Sequence, residues 1–205
     1  MDGQSLAQAV ERWNLLEHPF YVSWSEGRLP LATLSLYAAE YGNFIRAIPT
    51  AWQAIGEVGI AAVEEDHADL WDLFADSLGA SVGAPAVPAV AALCDEFRAM
   101  AGSADTAVGA LYAFEGQQPG VARSKLEGLE QHYRAVCPDV AVGYFQAHID
   151  DYAEPALLEA RFASFAPPGR QRASAAATAI GRALWTALDG ILIHEASLPS
   201  PTPSW

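Results

Sequence analysis

Apolar residues recur three and four positions apart along most of the chain, which is the spacing of one face of an α-helix. No stretch alternates apolar and polar residues as a half-buried strand would. The pattern predicts an all-α fold: a single-domain bundle of seven to eight helices over residues 1–196, with a flexible C-terminal tail over 197–205. The main predicted helices cover about residues 6–16, 31–48, 60–78, 89–100, 105–115, 121–136, 139–165 and 172–196, with a loop at 80–88 and a turn at 167–169. The helix over 139–165 is expected to be disturbed at Pro155.

One apolar helix carries a carboxylate within its apolar run. Glu115 follows Tyr112 and Phe114, and a buried carboxylate is costly unless a cation, a proton or hydrogen-bond donors accompany it. Glu115 is therefore either a ligand of a metal ion or a residue on the solvent-exposed side of the helix. The next amphipathic stretch carries Lys125, which is either an extended surface residue or a reactive amine in a pocket.

Two further helices carry polar residues at helical spacing. Glu64 and His67 lie three residues apart, so their side chains share one helix face. Glu-x-x-His on a bundle helix is typical of carboxylate-bridged di-iron proteins, in which carboxylates bridge and neutralise two cations. His148 shares a face with Asp151 and Tyr144 in the same way. The alternatives are a solvated acidic face around Glu64 and a hydrogen-bonded core histidine at His148.

The composition narrows the classes of partner. The chain has 25 acidic and 11 basic residues and a formal net charge of −14, which disfavours nucleic acid and anionic membranes. Two cysteines, Cys94 and Cys137, lie among apolar neighbours and are predicted to be buried thiols. The first residues do not resemble a signal peptide, and the apolar run Ala183–Ile193 is interrupted by Asp189 and is short for a membrane span. We therefore predict a soluble, cytoplasmic protein.

Several motifs resemble those of a known family. They are residues 18–29 (HPFYVSWSEGRL), 36–41 (LYAAEY), 67–71 (HADLW), 111–115 (LYAFE), 144–148 (YFQAH) and 184–189 (LWTALD). On these motifs the chain resembles the haem-oxygenase-like proteins related to the chlamydial protein associating with death domains, which share the TenA/PqqC-like fold. The resemblance spans most of the chain.

The resemblance implies a haem-oxygenase-like helical fold without haem and an oxidase with two metal ions that activates O₂. It further implies formation of 4-aminobenzoate from the protein's own side chains, with Tyr21 as the ring source and Lys125 as the amine donor. Tyr144 corresponds to a further tyrosine of the pocket. The residues that correspond to metal ligands are His67, Glu115 and His148.

The chain departs from the family pattern at three places. Phe114 replaces a tyrosine before the second glutamate. The first ligand glutamate has no clean counterpart, so Glu64 is the candidate and Glu57 the reserve. After His148 the family has an aspartate four residues on and a histidine seven on, and here these positions are Tyr152 and Pro155.

Asp151 or Glu154 would substitute for the missing ligands by a small shift. The predicted metal ligands are Glu64, His67, Glu115, His148 and Asp151. A pair of metals with rearranged ligands, a single metal and a lost metal site remain alternatives.

The first functional hypothesis is an O₂-activating oxidase or oxygenase that uses two Fe ions, a mixed Fe/Mn pair or one ion. Its substrate would be a small molecule or its own Tyr21 and Lys125. The alternative is a metal-free TenA/PqqC-like protein that binds a small aromatic ligand. A non-catalytic interaction protein is a third hypothesis, and a homodimer is the candidate assembly.

Overall fold

The computed structural model describes residues 4–197, and every regular element in that range is helical, which confirms the prediction of an all-α bundle. Two 3₁₀ helices, Glu11–Trp13 and Leu15–Glu17, join α1 to α2, and a π-helix, Leu129–Tyr133, continues α8. Apart from Ser197, the predicted tail lies outside the described residues. The α-helices are α1 Leu6–Val10, α2 Pro19–Ser25, α3 Leu31–Ile45, α4 Ile48–Ala54, α5 Val58–Ser77, α6 Pro88–Met100, α7 Ala104–Glu115, α8 Gln118–Gly128, α9 Gly143–His148, α10 Ala153–Ser164 and α11 Pro167–Ser197.

The long helix α11 is the scaffold against which α1, α3, α6 and α7 pack. Gly109 lets the backbone of α7 approach α11, because a Cβ at this position would lie 1.9 Å from the carbonyl oxygen of Ala173. The buried face of α11 is made of small and aliphatic residues that allow this close approach, including Ala173, Ala177, Ile180, Leu184 and Leu188. This contact places the C-terminal end of α7, and with it Glu115, in the interior.

By length and composition, Pro167–Glu195 is the one helix among the described residues that could cross a membrane. The apolar run considered in the sequence analysis is part of this longer helix. Core helices of globular proteins pass the same test, and α11 covers its apolar face by packing against α6 and α7. Its length therefore provides only weak support for a membrane span.

The helix predicted over residues 139–165, with a disturbance at Pro155, is wrong in its start and in the place of its break. The structure divides it into α9 and α10, and residues 149–152 form a break between them. Pro155 falls in the first turn of α10, where the missing N–H of proline costs no hydrogen bond. The break makes His148 the last residue of its helix and allows α10 to change direction and pack against α7.

The turn predicted at residues 167–169 is also wrong. α11 begins at Pro167, about five residues before the predicted start. The first turn of a helix tolerates proline because its first N–H groups have no partner within the helix. The pair Pro167 and Pro168 therefore starts the helix instead of preventing it.

Candidate metal centre and tyrosine pocket

Three predicted ligands from two helices meet in the interior. Glu64 and His67 lie in the middle of α5, and His148 ends α9. His67 Nδ1 lies 2.7 Å from Glu64 Oε1, and His148 Nε2 lies 3.9 Å from the same oxygen. The ligand atoms of the three side chains all lie within 4.8 Å of one another. Ligands of a single transition-metal ion are separated by up to about 4–4.5 Å, so little movement would bring all three onto one ion.

Hydrogen bonding prepares His148 to act as a ligand. Its Nδ1–H donates to the carbonyl oxygen of Tyr144 over 2.7 Å, which leaves the lone pair on Nε2 directed towards Glu64. Burial lowers the pKa of His148, so the imidazole is kept neutral. A second ring nitrogen held in this way is the usual support of a metal-bound histidine.

The buried polar atoms of this region fit a cation. Within the described part of the chain, Glu64 Oε2, Glu115 Oε1 and His148 Nε2 are buried without a hydrogen-bond partner. A buried carboxylate oxygen without a donor is strongly unfavourable unless a cation or a proton compensates it. The chemistry of the donor atoms, carboxylate oxygen and imidazole nitrogen, suits iron or manganese.

Two more carboxylates face the same region. Glu115 ends α7, and Glu154 lies in the first turn of α10. Burial, followed by the charge of Glu64, raises the pKa of both, that of Glu154 to about 8. The charge of Asp151 contributes to both shifts. These groups therefore repel one another in an apolar space, and a bound cation would relieve that repulsion.

Asp151, one of the predicted ligands, lies at the edge of this region. Its side chain is half-buried, and its Oδ1 accepts a hydrogen bond of 3.2 Å from the backbone N–H of Ala153. It thus stabilises the start of α10 and is not one of the three side chains whose ligand atoms lie together. Tyr152, the next residue, is 61% exposed and faces away from the site.

Lys125 is the only lysine in the sequence, and it is buried. No carboxylate lies within ion-pairing distance of its Nζ in the described structure. Burial lowers its pKa well below the ordinary value, which favours a neutral, nucleophilic amine. The rings within 6 Å of Nζ form what we call the tyrosine pocket, and they are those of Tyr21, Trp24, Tyr37, Tyr41, Trp71 and Phe145.

A hydrogen-bonded chain joins Lys125 to Tyr21. Lys125 Nζ lies 2.6 Å from Tyr37 Oη, and Tyr37 Oη lies 3.1 Å from Tyr21 Oη. Nζ also lies 4.9 Å from the centre of the Tyr21 ring. His18 positions this tyrosine, because its Nδ1 accepts from the N–H of Phe20 and caps α2, on which Tyr21 lies.

Tyr144 lies between the histidines and the tyrosine pocket. Its ring centre is 4.3 Å from that of His148 and 4.8 Å from that of Trp71. Its hydroxyl oxygen accepts a hydrogen bond of 2.8 Å from Gln118 Nε2. Burial, then the charges of Glu64 and Glu115, raises the pKa of Tyr144, so it stays protonated.

The structure thus brings Glu64, His67 and His148 together. It places Tyr21 beside Lys125 in the tyrosine pocket, with Tyr144 between this pocket and the histidines. Sequence reasoning missed the chain of contacts through Tyr37 and the nearby hydroxyl of Tyr41. The uniqueness of Lys125 was a usable signal, because a surface free of lysine makes a single lysine within an apolar helix unusual.

Comparison with known proteins identifies the family to which this chain belongs. No protein-family model matches the chain. A Nitrosomonas europaea protein named 4-aminobenzoate synthase is 31% identical, and the match covers 94% of this chain and 90% of the relative. A Chlamydia muridarum protein of the same name is 32% identical over 68% of this chain and 67% of its own length.

The chain belongs to the 4-aminobenzoate synthase family. The resemblance that the motifs indicated is therefore confirmed. A Chlamydia trachomatis member of this family is 31% identical over 68% of the chain and 69% of its own length.

Solved structures confirm the fold of this family member. A TenA homologue from P. horikoshii superposes with a TM-score of 0.73 at 16% identity, covering 91% of this chain and 95% of its own. A TenA homologue from Pseudomonas syringae has the same TM-score at 14% identity, covering 92% of this chain and 91% of its own. At these identities the likeness shows a TenA-like fold, and the chemistry has to be inferred from the side chains of the site.

Proposed function

We propose that this protein is a metal-dependent oxygenase that forms 4-aminobenzoate from its own Tyr21 and Lys125. The proposal combines the names of the curated relatives with one structural observation. The only amine side chain of the protein lies 4.9 Å from the ring of the buried Tyr21 and is joined to its hydroxyl group through Tyr37.

The atoms of the two side chains are sufficient for the carbon and nitrogen of the product. The ring and Cβ of Tyr21 supply every carbon of 4-aminobenzoate, with an oxygen para to Cβ where the product has nitrogen. The Cα–Cβ bond of Tyr21 would break, with Cα staying in the chain, and Cβ would be oxidised to the carboxylate with oxygen from O₂ and water. Nζ of Lys125 would bond to the ring carbon that loses the phenolic oxygen as water, and the Nζ–Cε bond would break as Cε is oxidised to an aldehyde. O₂ is the oxidant, and each protein chain would be consumed by one turnover.

The side chains around the reacting groups have defined tasks. Glu64, His67 and His148 would hold the metal, with Glu115 beside them; a bound metal would supply the electrons that activate O₂. The aromatic rings around Lys125 bury its amine and lower its pKa, which favours the neutral form. Tyr37 holds the amine and the phenol of Tyr21 in one hydrogen-bonded chain and offers a path for the proton that each must lose.

The metal-free alternative shares the fold, but neither cysteine is placed as the nucleophile that thiaminase-type hydrolysis would need. Hydrolysis of the thiaminase type needs a thiolate nucleophile. Burial raises the pKa of Cys94 to about 11, so its thiol is almost entirely protonated at neutral pH. Cys137 is half-buried and lies outside the tyrosine pocket.

Isotope labelling tests the proposal directly. Protein is produced with ring-¹³C tyrosine and ¹⁵N lysine, loaded with Fe(II), or Fe(II) with Mn(II), without oxygen, and then exposed to O₂. We expect 4-aminobenzoate that carries both labels, and peptide mass spectrometry should show loss of the Tyr21 side chain. Because Lys125 is the only lysine, the ¹⁵N label reports on a single nitrogen atom.

Two variants identify the source of the ring. Tyr21→Phe should form no product, because the phenylalanine ring has no phenolic oxygen for the nitrogen to replace. Any product made from that ring would also lack the ¹³C label. Tyr152→Phe is the matched control, since Tyr152 is 61% exposed, and it should form doubly labelled product at the wild-type level. Labelled product from Tyr21→Phe, or product without ¹⁵N, would contradict the proposal.

A further inference from the structure

The cluster of Glu64, His67 and His148 leaves a buried carboxylate at the start of α10 without a role. Glu154 is 8% exposed and lies in the first turn of that helix. Its neighbours cannot take its place, because the side chain of Tyr152 is 61% exposed and Pro155 has no side-chain atom that could bind a metal. The chain therefore turns one carboxylate inward at this point of the fold.

Two side-chain contacts tie α10 to the elements that carry Glu64 and Glu115. Arg161 forms an ion pair with Glu57, which precedes α5. Glu154 lies about two helical turns before Arg161, and Glu64 lies about two turns after Glu57. The charge of Glu64 acts on Glu154, so the two carboxylates lie within electrostatic range of each other.

A second contact ties α10 to the helix that carries Glu115. The hydroxyl group of Tyr112 on α7 donates a hydrogen bond of 2.8 Å to Glu159 on α10. Glu115 lies about one turn beyond Tyr112 on α7, and Glu154 lies between one and two turns before Glu159 on α10. The two helices pack against each other along this stretch.

No basic side chain of the described residues balances these carboxylates. Arg161 is engaged by Glu57 and Arg123 by Asp150, both at the periphery, and Lys125 lies in the tyrosine pocket. Within the same part of the chain, Glu64 Oε2 and Glu115 Oε1 are buried without partners. Two divalent cations would carry the charge that balances four carboxylates, namely Glu64, Glu115, Asp151 and Glu154.

We propose that Glu154 is a metal ligand and that it forms, with Glu64 and Glu115, a second metal position built from carboxylates alone. The first position would be held by Glu64, His67 and His148, so Glu64 would contribute to both positions. The inference rests on the proposed function and deepens it, because it gives the proposed oxygenase a pair of metal ions. Asp151 remains behind the site, where it stabilises the first turn of α10.

Metal stoichiometry tests the proposal independently of turnover. Wild-type protein is loaded with Mn(II) without oxygen, desalted and analysed for metal and protein. We expect about two ions per chain in the wild type and about one in Glu154→Gln, which keeps the size of the side chain but removes its charge. Glu127→Gln on α8 is the matched control, because Glu127 is exposed and is not among the residues of the metal centre, and it should keep about two ions.

Electron paramagnetic resonance distinguishes a lost ion from a misfolded site. Two neighbouring Mn(II) ions give a broad exchange-coupled spectrum, whereas Glu154→Gln should give the resolved hyperfine pattern of one isolated Mn(II). Wild-type binding of one ion or none, or retention of the coupled pair in Glu154→Gln, would overturn the inference. A coupled pair that depends on Glu154, without 4-aminobenzoate formation, would leave the inference standing and reject only the proposed function.

Discussion

At the scale of single residues, Lys125 has the most unusual environment in the molecule. It is a cationic residue type inside a cage of aromatic rings, in a protein whose surface carries no lysine. A charged amine there would gain cation–π attraction but lose its hydration, and desolvation is the larger effect on its pKa. Folding therefore favours the neutral amine, which is the nucleophilic form.

The lowered pKa of Lys125 predicts how stability depends on pH. Between the lowered folded pKa and the ordinary value near 10.5, the unfolded chain binds more protons than the folded protein. The contribution of Lys125 to stability therefore rises as pH rises through this window. Lys125→Met cannot titrate and should lack this contribution.

Urea unfolding of the metal-free protein at about pH 6 and about pH 9 measures the contribution of Lys125 to stability. We expect the free energy of unfolding of the wild type to rise over this range relative to that of Lys125→Met. Parallel pH dependence in the two proteins would show that the amine of the folded protein has an ordinary pKa.

Removing the imidazole of His148 tests the first metal position. His148→Ala removes a nitrogen donor whose orientation the Tyr144 carbonyl maintains. We expect metal affinity to fall by more than about 10–100-fold, the range seen when only a supporting residue is lost, and product formation to stop. Equilibrium dialysis with Mn(II) and the product assay measure the two effects.

His132→Ala is the control for this substitution. His132 is exposed, and its ring contacts the carbonyl of Ser25 away from the metal centre. Metal affinity should match that of the wild type. Unchanged affinity in His148→Ala would remove His148 from the ligand set.

At the scale of the helices, the close contact between α7 and α11 determines where Glu115 is placed. Gly109 permits the contact because it has no Cβ. Further along the chain, the π-helix that continues α8 brings Tyr133 to the segment after α2, where its hydroxyl group bonds both backbone groups of Leu29. Together with the bond from Trp24 Nε1 to the Lys125 carbonyl, it holds the tyrosine pocket between α2 and α8.

Gly109→Ala should separate α7 from α11. The added methyl group would overlap the Ala173 carbonyl, so the helices must shift, and overpacking of this kind costs about 1–3 kcal/mol. Chemical unfolding measures the resulting decrease in the free energy of unfolding. Gly59→Ala on α5 is the control, because no atom lies within 4 Å of the place its methyl group would occupy and alanine favours the helix by about 0.5–1 kcal/mol. Equal stability of both variants would contradict the close contact.

At the scale of the whole molecule, the acidic composition extends into the interior. Glu64, Glu115 and Glu154 are buried close to one another, which destabilises the metal-free fold. A ligand that binds only the folded state offsets this cost, by about 2.7 kcal/mol when its concentration is a hundred times its dissociation constant. The proposed metal binding would therefore be coupled to the stability of the fold.

Glu115→Gln should reveal the coupling. Without metal, we expect the variant to unfold at a temperature at least as high as the wild type, because the substitution removes a buried carboxyl group whose ionised form is unfavourable. With Mn(II) under anaerobic conditions, the unfolding temperature of the wild type should rise by several degrees, and that of the variant should rise little. Thermal unfolding followed by circular dichroism measures both. An equal gain in both proteins would show that Glu115 takes no part in metal binding.

The helical nature of the chain and part of the site follow from the sequence alone. Helix formation is visible in the spacing of apolar residues, and Glu64 and His67 share a face because they lie three residues apart. The motifs around Tyr21, Glu115 and His148 were sufficient to indicate the family. These features depend on neighbouring residues or on short motifs, which a single sequence displays directly.

Only the tertiary structure decides which distant side chains meet. The break between α9 and α10, the inward position of Glu154 and the link from Lys125 through Tyr37 to Tyr21 join residues far apart in the chain. Periodicity reports which face of a helix is buried, but not which helix covers that face or at what level. That choice depends on contacts such as Gly109 with Ala173 and on where a helix stops, because a shift of one turn moves a side chain by about 5 Å and takes a ligand out of reach.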